Sequence, residues 1–477
     1  MLISKLQDKL IILFVVLFAF ILCFFTIYSK LIILFGACLF VFVDILLRKR
    51  FEFKIELRII FYLLISFVVL EFILQQNDTW ITTQTRASIV EIMILFFLIG
   101  FALIKNENWF TKEFKIITLI LIGFIFCNFI STMQHYHSLK IFITSTLDYC
   151  KYFGLIYFIM LSKVDEDDIL KLLKVFSLFI IVCTILSFLQ LLGNIQLFDL
   201  FRGRFDIVSR NGNYRSIGFF PYPIELGNYA AILFCLYYYL NKYIYKNIWF
   251  YFISLLLVIN VVLSGTRIAL VALILVFIFS NLKSVRQILS TAIIIVVASL
   301  VLNNFMNIQQ MINDTKQEYV GMTPREYYIL NGINVWKDNP LVGIGFGTYG
   351  SMKYRMITGD KIFNEYKLHA FDFAKLQTTD TFVAEILPEF GTLGIVLLFL
   401  FGGLFYSRYK IIEKYNKGNR AYVYVFFTIC ILSLNSSSVF FSSHIGTFFW
   451  ISMGMILNNY LLLTENEKQQ LNNDLTT

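Results

Sequence analysis

A chain of 477 residues with 58% hydrophobic and 15% charged residues lies far outside the range of soluble domains, where about a quarter of residues are charged. Its mean hydropathy of +0.74 points the same way, so the composition excludes a soluble enzyme or binding module and calls for a polytopic membrane protein. The net charge of +9 does not indicate nucleic acid, because Lys and Arg are spread over short connections between apolar runs instead of being gathered in one module.

The first apolar run, Leu10 to Tyr28, follows Lys5 and Lys9 as a signal peptide would, but no small-residue cleavage site comes after it. Lys30 instead sits in a tight hairpin before a second span. Further along, apolar segments predict spans near 10–28, 31–47, 59–74, 87–104, 116–133, 149–162, 175–192, 228–241, 248–264, 267–281, 288–303, 381–407, 421–437 and 440–463. The expected fold is therefore an all-α polytopic integral membrane protein with about 12–14 transmembrane helices in one domain, residues 1–463, followed by a polar cytoplasmic tail, 464–477. All seven cysteines (Cys23, Cys38, Cys127, Cys150, Cys183, Cys235 and Cys430) lie within or at the edge of apolar runs, which argues against a disulfide framework.

Two basic hairpins fix the expected orientation. Arg48, Lys49, Arg50, Lys54 and Arg58 form one, and Arg408, Lys410, Lys414, Lys417 and Arg420 the other. They fall on one side together with Lys105, Lys112 and Lys115, so the positive-inside rule puts both termini in the cytoplasm. That parity leaves two long loops outside, 193–227 and 303–380. No repeat of solenoid period and no likeness between the two halves is visible.

The first outer loop carries Arg202, Arg204, Arg210 and Arg215 against a single acid within that window, Asp206, with Phe201, Phe205, Tyr214, Phe219, Phe220 and Tyr222 interleaved. A guanidinium can grip a phosphate through two parallel hydrogen bonds, and aromatic rings can lie on sugar faces. The plainer reading is a solvated basic loop with interfacial anchors. Arg215 stands apart, because Ser216-Ile217-Gly218-Phe219-Phe220-Pro221 follows it. Next, Leu263-Ser264-Gly265-Thr266-Arg267-Ile268-Ala269-Leu270 places one arginine in the tight connection between two apolar runs. Such a charge either snorkels to the interface or holds an anionic group there.

In the large loop, Thr323-Pro324-Arg325-Glu326 has the form of a capping box and predicts a helix to about Asp338. Ile329, Ile333 and Trp336 recur at helical spacing and predict that this helix lies on the membrane face or on the bundle. Asn339-Pro340 stops it. Gly343-Ile344-Gly345-Phe346-Gly347 then reads as a backbone device for close approach, since it lacks the spacing and the preceding strand of a dinucleotide fingerprint. Asp165-Glu166-Asp167-Asp168 reads as the acidic opening of a helix rather than a metal motif, and His135 and His137 as interfacial residues.

Four of these pieces, in order over roughly residues 200–400, resemble the O-antigen ligase and polymerase superfamily. Arg215 with Gly218 and Pro221 is similar to its arginine and Gly/Pro element before a span, and Ser264-Gly265-Thr266-Arg267-Ile268-Ala269 to its serine-arginine-small element. Arg325, Trp336, Pro340 and Gly343-Ile344-Gly345-Phe346-Gly347 resemble the stretch in its large periplasmic loop, and Glu389-Phe390-Gly391-Thr392-Leu393-Gly394 the element closing that loop. One departure is that ligases of this family usually carry His-Asn where this chain has Asp380-Thr381, which favours polymerase.

The resemblance implies a GT-C-like glycosyltransferase architecture in the bacterial inner membrane with its site facing the periplasm. It further implies a metal-independent, cofactor-free transfer of glycan from undecaprenyl diphosphate to another lipid-linked repeat. Partners would be the lipid-diphosphate-linked oligosaccharide, the bilayer and a chain-length regulator. Arg215 and Arg267 would stabilise the departing diphosphate and Asp380 would accept the proton of the attacking hydroxyl. Arg210, Arg325, His369, Gly343, Gly345, Gly347 and Glu389 would contact substrate. The plain reading of Asp380 is an N-cap for the following span. A ligase acting on lipid A core and a flippase of lipid-linked sugars are the rival functions; a flippase fits poorly with an outer loop of about 75 residues.

Overall fold

A computed structural model describes residues 111–162, 164–192, 209–210, 213–220, 222–281, 324–349, 382–434, 440 and 445–463. The expected spans before residue 111, the one near 288–303 and the polar tail lie outside the described residues. Among the described residues ten α-helices carry the fold. They are α1 (Lys112–Tyr136), α2 (Leu139–Ser162), α3 (Glu166–Leu191), α4 (Pro223–Leu240), α5 (Ile248–Leu263), α6 (Arg267–Asn281), α7 (Pro324–Asp338), α8 (Phe382–Tyr415), α9 (Arg420–Leu432) and α10 (Gly446–Leu462). The only other ladder among these residues is a two-residue antiparallel pair, β1 (Ser209–Arg210) with β2 (Asn213–Tyr214), around an Asn-Gly dipeptide that favours a short hairpin. The protein is an all-α membrane protein: α1, α3 and α8 are long and apolar enough to cross a bilayer, and α5 and α6 are shorter apolar helices.

Local chemistry sets the helix ends. Asp165 caps α3 in a reciprocal box with Asp168, each side chain accepting from the other's backbone N–H, as the acidic run predicts. The Asn247 side chain accepts from Trp249 N at the start of α5, and α4 opens with Pro223 in its first turn. Hydropathy places three helix starts too late. It begins α2 at 149, α3 at 175 and α4 at 228, whereas they begin at Leu139, Glu166 and Pro223. The early turns hold polar residues such as Ser145, Asp168 and Glu225, which lower the apolar signal although Ser145 and Asp168 are themselves buried in helix contacts.

Helix α4 is apolar nearly all round and is buried along most of its length, packing on α5, α6 and α9. Helix α10 is buried in the same way between α2, α8 and α9. Leu119, Phe279 and Phe399 point outward from the rim, as side chains facing lipid do.

Contacts between helix ends sort the described chain to two ends. At one end Glu166 accepts from Asn416 Nδ2 (2.7 Å), its carbonyl accepts from Tyr245 Oη (2.9 Å), and Arg408 pairs with Glu113 (2.9 Å). This is the end that bears the 408–420 basic residues. The end of α3 with residues 215–220, the α5–α6 turn, the C-terminal part of α7 and the starts of α8 and α10 lie at the opposite end. All the described candidate motifs gather there.

Candidate active site

Arg215 is held at the end of a helix it does not belong to, α5. Its Nε donates to the Ser264 carbonyl (3.0 Å), and the next residue, Ser216, donates its N–H to the Leu263 carbonyl (2.9 Å). The arginine element and the serine-arginine element therefore form one joint at the α5–α6 turn. Gly265 makes that turn with φ +60°. Thr266 N donates to Ser264 Oγ (3.2 Å) and Thr266 Oγ1 donates to the Pro223 carbonyl (3.1 Å), tying the turn to the start of α4. A Cβ on Gly227 would lie 2.5 Å from Thr266 Cβ, so only glycine lets α4 approach this closely. Arg267 is the first residue of α6 and is exposed, beside the amide-rich N-terminus of that helix.

The turn after Arg215 is set by a residue with no place in the sequence motif. Gln190, fully buried near the end of α3, accepts through Oε1 from Ser216 Oγ (2.9 Å), Ile217 N (3.1 Å) and Gly218 N (2.9 Å). Its Nε2 donates to the Gly218 carbonyl (2.9 Å). Gly218 has φ +56° and packs against Cys183 and Ser187. A lone glutamine inside an apolar run was the available signal, since an amide at membrane depth needs partners.

A second joint forms around a break in α8. Gly391 has φ +60° and ψ −175°, and Pro388 lacks the N–H that would bond the Ala384 carbonyl. The backbone groups released by the break are met by the glycine turn. Ile344 N donates to the Pro388 carbonyl (2.8 Å) and Gly345 N to the Glu389 carbonyl (3.3 Å), while Thr392 N and Leu393 N donate to the Pro340 and Leu341 carbonyls (2.8 and 3.0 Å). Gly343, Gly345 and Gly347 all have positive φ, and a Cβ on Gly343 would collide with the Pro388 carbonyl, so the close approach expected of these glycines is observed.

Glu389 is buried at the centre of this joint. Its Oε2 accepts from Gly347 N (2.7 Å) and Tyr149 Oη (3.0 Å), and its Oε1 from Tyr349 N (3.1 Å). Asn128 Oδ1 accepts from Phe346 N (2.9 Å), and Ser131 Oγ donates to the Gly343 carbonyl (2.7 Å). Phe346 stacks on Phe390 with ring centroids 4.5 Å apart. Helix α7 packs on α8 as a bundle helix through Tyr328, Gly332 and Val335, while Ile329, Ile333 and Trp336 sit half-buried beside that face. The rotation follows from Gly332, which an apolar count overlooks but which allows approach to the Ala384 carbonyl.

Aromatic packing on α10 connects the two joints. Phe448 lies against Tyr229 of α4 (5.9 Å), and its neighbour Phe449 against Phe440 (5.2 Å), which in turn meets Phe382 at the head of α8 (4.9 Å). Of the sequence candidates, Arg215 and Arg267 thus share the first joint, and Gly343, Gly345, Gly347 and Glu389 share the second. Arg210 lies in β1 and Arg325 in the first turn of α7. Asp380 and His369 lie outside the described residues, Asp380 two positions before α8 begins.

The α5–α6 turn, the glycine turn and the break in α8 all fall within one stretch of known kind. Residues 252–399 match the family model described as O-antigen ligase. That match supports the O-antigen ligase and polymerase superfamily, whose members are glycosyltransferase-like enzymes. A search of curated proteins finds no match to the chain.

Proposed function

We propose that the chain is an O-antigen polymerase of the bacterial inner membrane, acting at the periplasmic face on repeat units linked to undecaprenyl diphosphate. The observation that carries the reading is the Arg215–Ser264 joint, which puts Arg215 beside the turn that opens α6 on Arg267. Two guanidinium groups and a helix N-terminus suit a diphosphate. The acceptor hydroxyl oxygen attacks the anomeric carbon of the donor sugar and forms the new glycosidic bond. The bond from that carbon to the diphosphate oxygen breaks, and its electron pair leaves with the diphosphate, where Arg215 and Arg267 stabilise the added charge without a metal. The hydroxyl proton passes to the Asp380 carboxylate. Arg210, Arg325 and His369 would contact the substrate, and the Glu389 joint fixes the glycine turn.

Alanine at Arg215, Arg267 or Asp380 should lower polymer synthesis by about 100-fold or more, collapsing a surface polysaccharide ladder to a single-repeat band at unchanged protein level. Normal ladders from all three variants would sink the assignment. The ligase reading has one observation in its favour, the description of the matched family model. Asp380-Thr381 in place of His-Asn speaks for polymerase. Deletion separates them, because loss of a ligase leaves polymer on the lipid carrier whereas loss of a polymerase leaves one repeat on lipid A core.

A further inference from the structure

Directly below the Arg215 joint, α4 presents three polar atoms that the protein itself does not use. Glu225 Oε2, Asn228 Oδ1 and Tyr229 Oη are each buried without a hydrogen-bond partner among the described residues. Asn228 is 1% exposed and Tyr229 2%, while Glu225 is half-buried as a residue, with its Oε2 buried. Positions 225, 228 and 229 share one helix face and span about 6 Å along the axis. The opposite face, at Gly227, is the one pressed on Ser264 and Thr266.

Unmatched polar atoms at this depth are costly, and here three share one helix face. Their chemistry is also one-sided. A carboxylate oxygen and an amide oxygen accept only, and the phenol can accept as well. A ligand rich in hydroxyl groups, which donate and accept, satisfies all three. Aromatic surface stands beside it: Tyr229 packs on Phe220 (5.0 Å) and on Phe448 (5.9 Å). Phe220 closes the same turn that Arg215 opens, so one short segment touches both the anion joint and this face.

We infer that Glu225, Asn228 and Tyr229 form a sugar subsite that receives hydroxyl groups of the acceptor repeat beside the diphosphate-binding arginines. This rests on the glycosyltransferase reading of the joint above it. The subsite holds the acceptor so that its attacking hydroxyl faces the anomeric carbon, with Glu225 at the mouth taking the first hydroxyl bond and Asn228 and Tyr229 taking the deeper ones.

The test uses the purified full chain in detergent and two separate probes, the free repeat-unit oligosaccharide released from the lipid carrier and inorganic pyrophosphate. Glu225→Gln and Tyr229→Phe keep volume and ring packing, and each should weaken oligosaccharide binding by about tenfold while leaving pyrophosphate affinity unchanged. Arg215→Lys should do the reverse. Unchanged oligosaccharide affinity in both α4 variants, or no oligosaccharide binding by the unaltered chain, overturns the subsite. So does stabilisation of the unaltered chain by sodium that both variants lose, since that assigns the three oxygens to a cation. Normal ladders in the Arg215 and Arg267 alanine variants would instead overturn the parent reading, and that outcome is read independently of the two binding measurements.

Discussion

Gln190 shows how much a single side chain can decide in a membrane core. It satisfies two backbone N–H groups, one hydroxyl and one carbonyl of the 216–218 turn, all in buried residues. Leucine there would keep the apolar character of α3 and strand those groups, at about 1–3 kcal/mol for each one left unsatisfied. Gln190→Leu should lower the thermal midpoint of the purified chain and shorten the polysaccharide ladder, because Arg215 loses its anchor. A ladder of normal length from a folded Gln190→Leu chain would show that the turn is set by Ser264 alone. Glu389 can be argued in the same way. Glutamine offers one acceptor oxygen where three donors converge on two, so Glu389→Gln must point an NH₂ at a donor and should destabilise by about 1–3 kcal/mol.

At the scale of elements, the break in α8 and the glycine turn are two halves of one structure. A Cβ on Gly391 would sit 2.5 Å from Gly343 N and from the Leu341 carbonyl, and its φ of +60° with extended ψ suits only glycine. Gly391→Ala should therefore cost about 3 kcal/mol or more and release the turn, measured as a lower thermal midpoint and as faster proteolysis between residues 340 and 349. Gly403, twelve positions on, has nothing within 4 Å of its Cβ position. Gly403→Ala should be neutral or stabilising by up to about 1 kcal/mol, which makes it the control for the same chemical change in the same helix.

Such elements were legible in the sequence to different degrees. Apolar runs reported the helices, because burial in lipid or protein demands them, and Thr323-Pro324 and Asn339-Pro340 marked α7 because caps and breakers are local chemistry. The glycines announced close approach, but the partner of that approach could not be read. Gly343 meets Pro388 and Glu389 through backbone carbonyls, which any residue supplies. Arg215 likewise binds Ser264 through a carbonyl 49 positions away, and Gln190 looked like one polar residue in a span. Long-range backbone contacts leave no side-chain signature, so the motifs were visible and the joints between them were not.

For the whole molecule, the sorting of chemistry to two ends makes orientation the premise of every assignment. One end carries the Arg408–Glu113 ion pair and the Asn416–Glu166 bond, and the other the Arg215 and Glu389 joints. A lipid-linked glycan on the far side of the membrane is reached only if the second end faces outward. The basic residues of 408–420 argue that the first end faces the cytoplasm, since positive charge resists translocation. Because all ten described helices pack together, one inversion would reverse every site at once. Reporter fusions after Gly350 and after Lys417 decide it. An alkaline-phosphatase type reporter should be active at Gly350 and silent at Lys417, with a cytoplasmically fluorescent reporter giving the opposite pattern. Phosphatase activity at Lys417 would turn the arginine joint toward the cytoplasm, where no periplasmic transfer can use it.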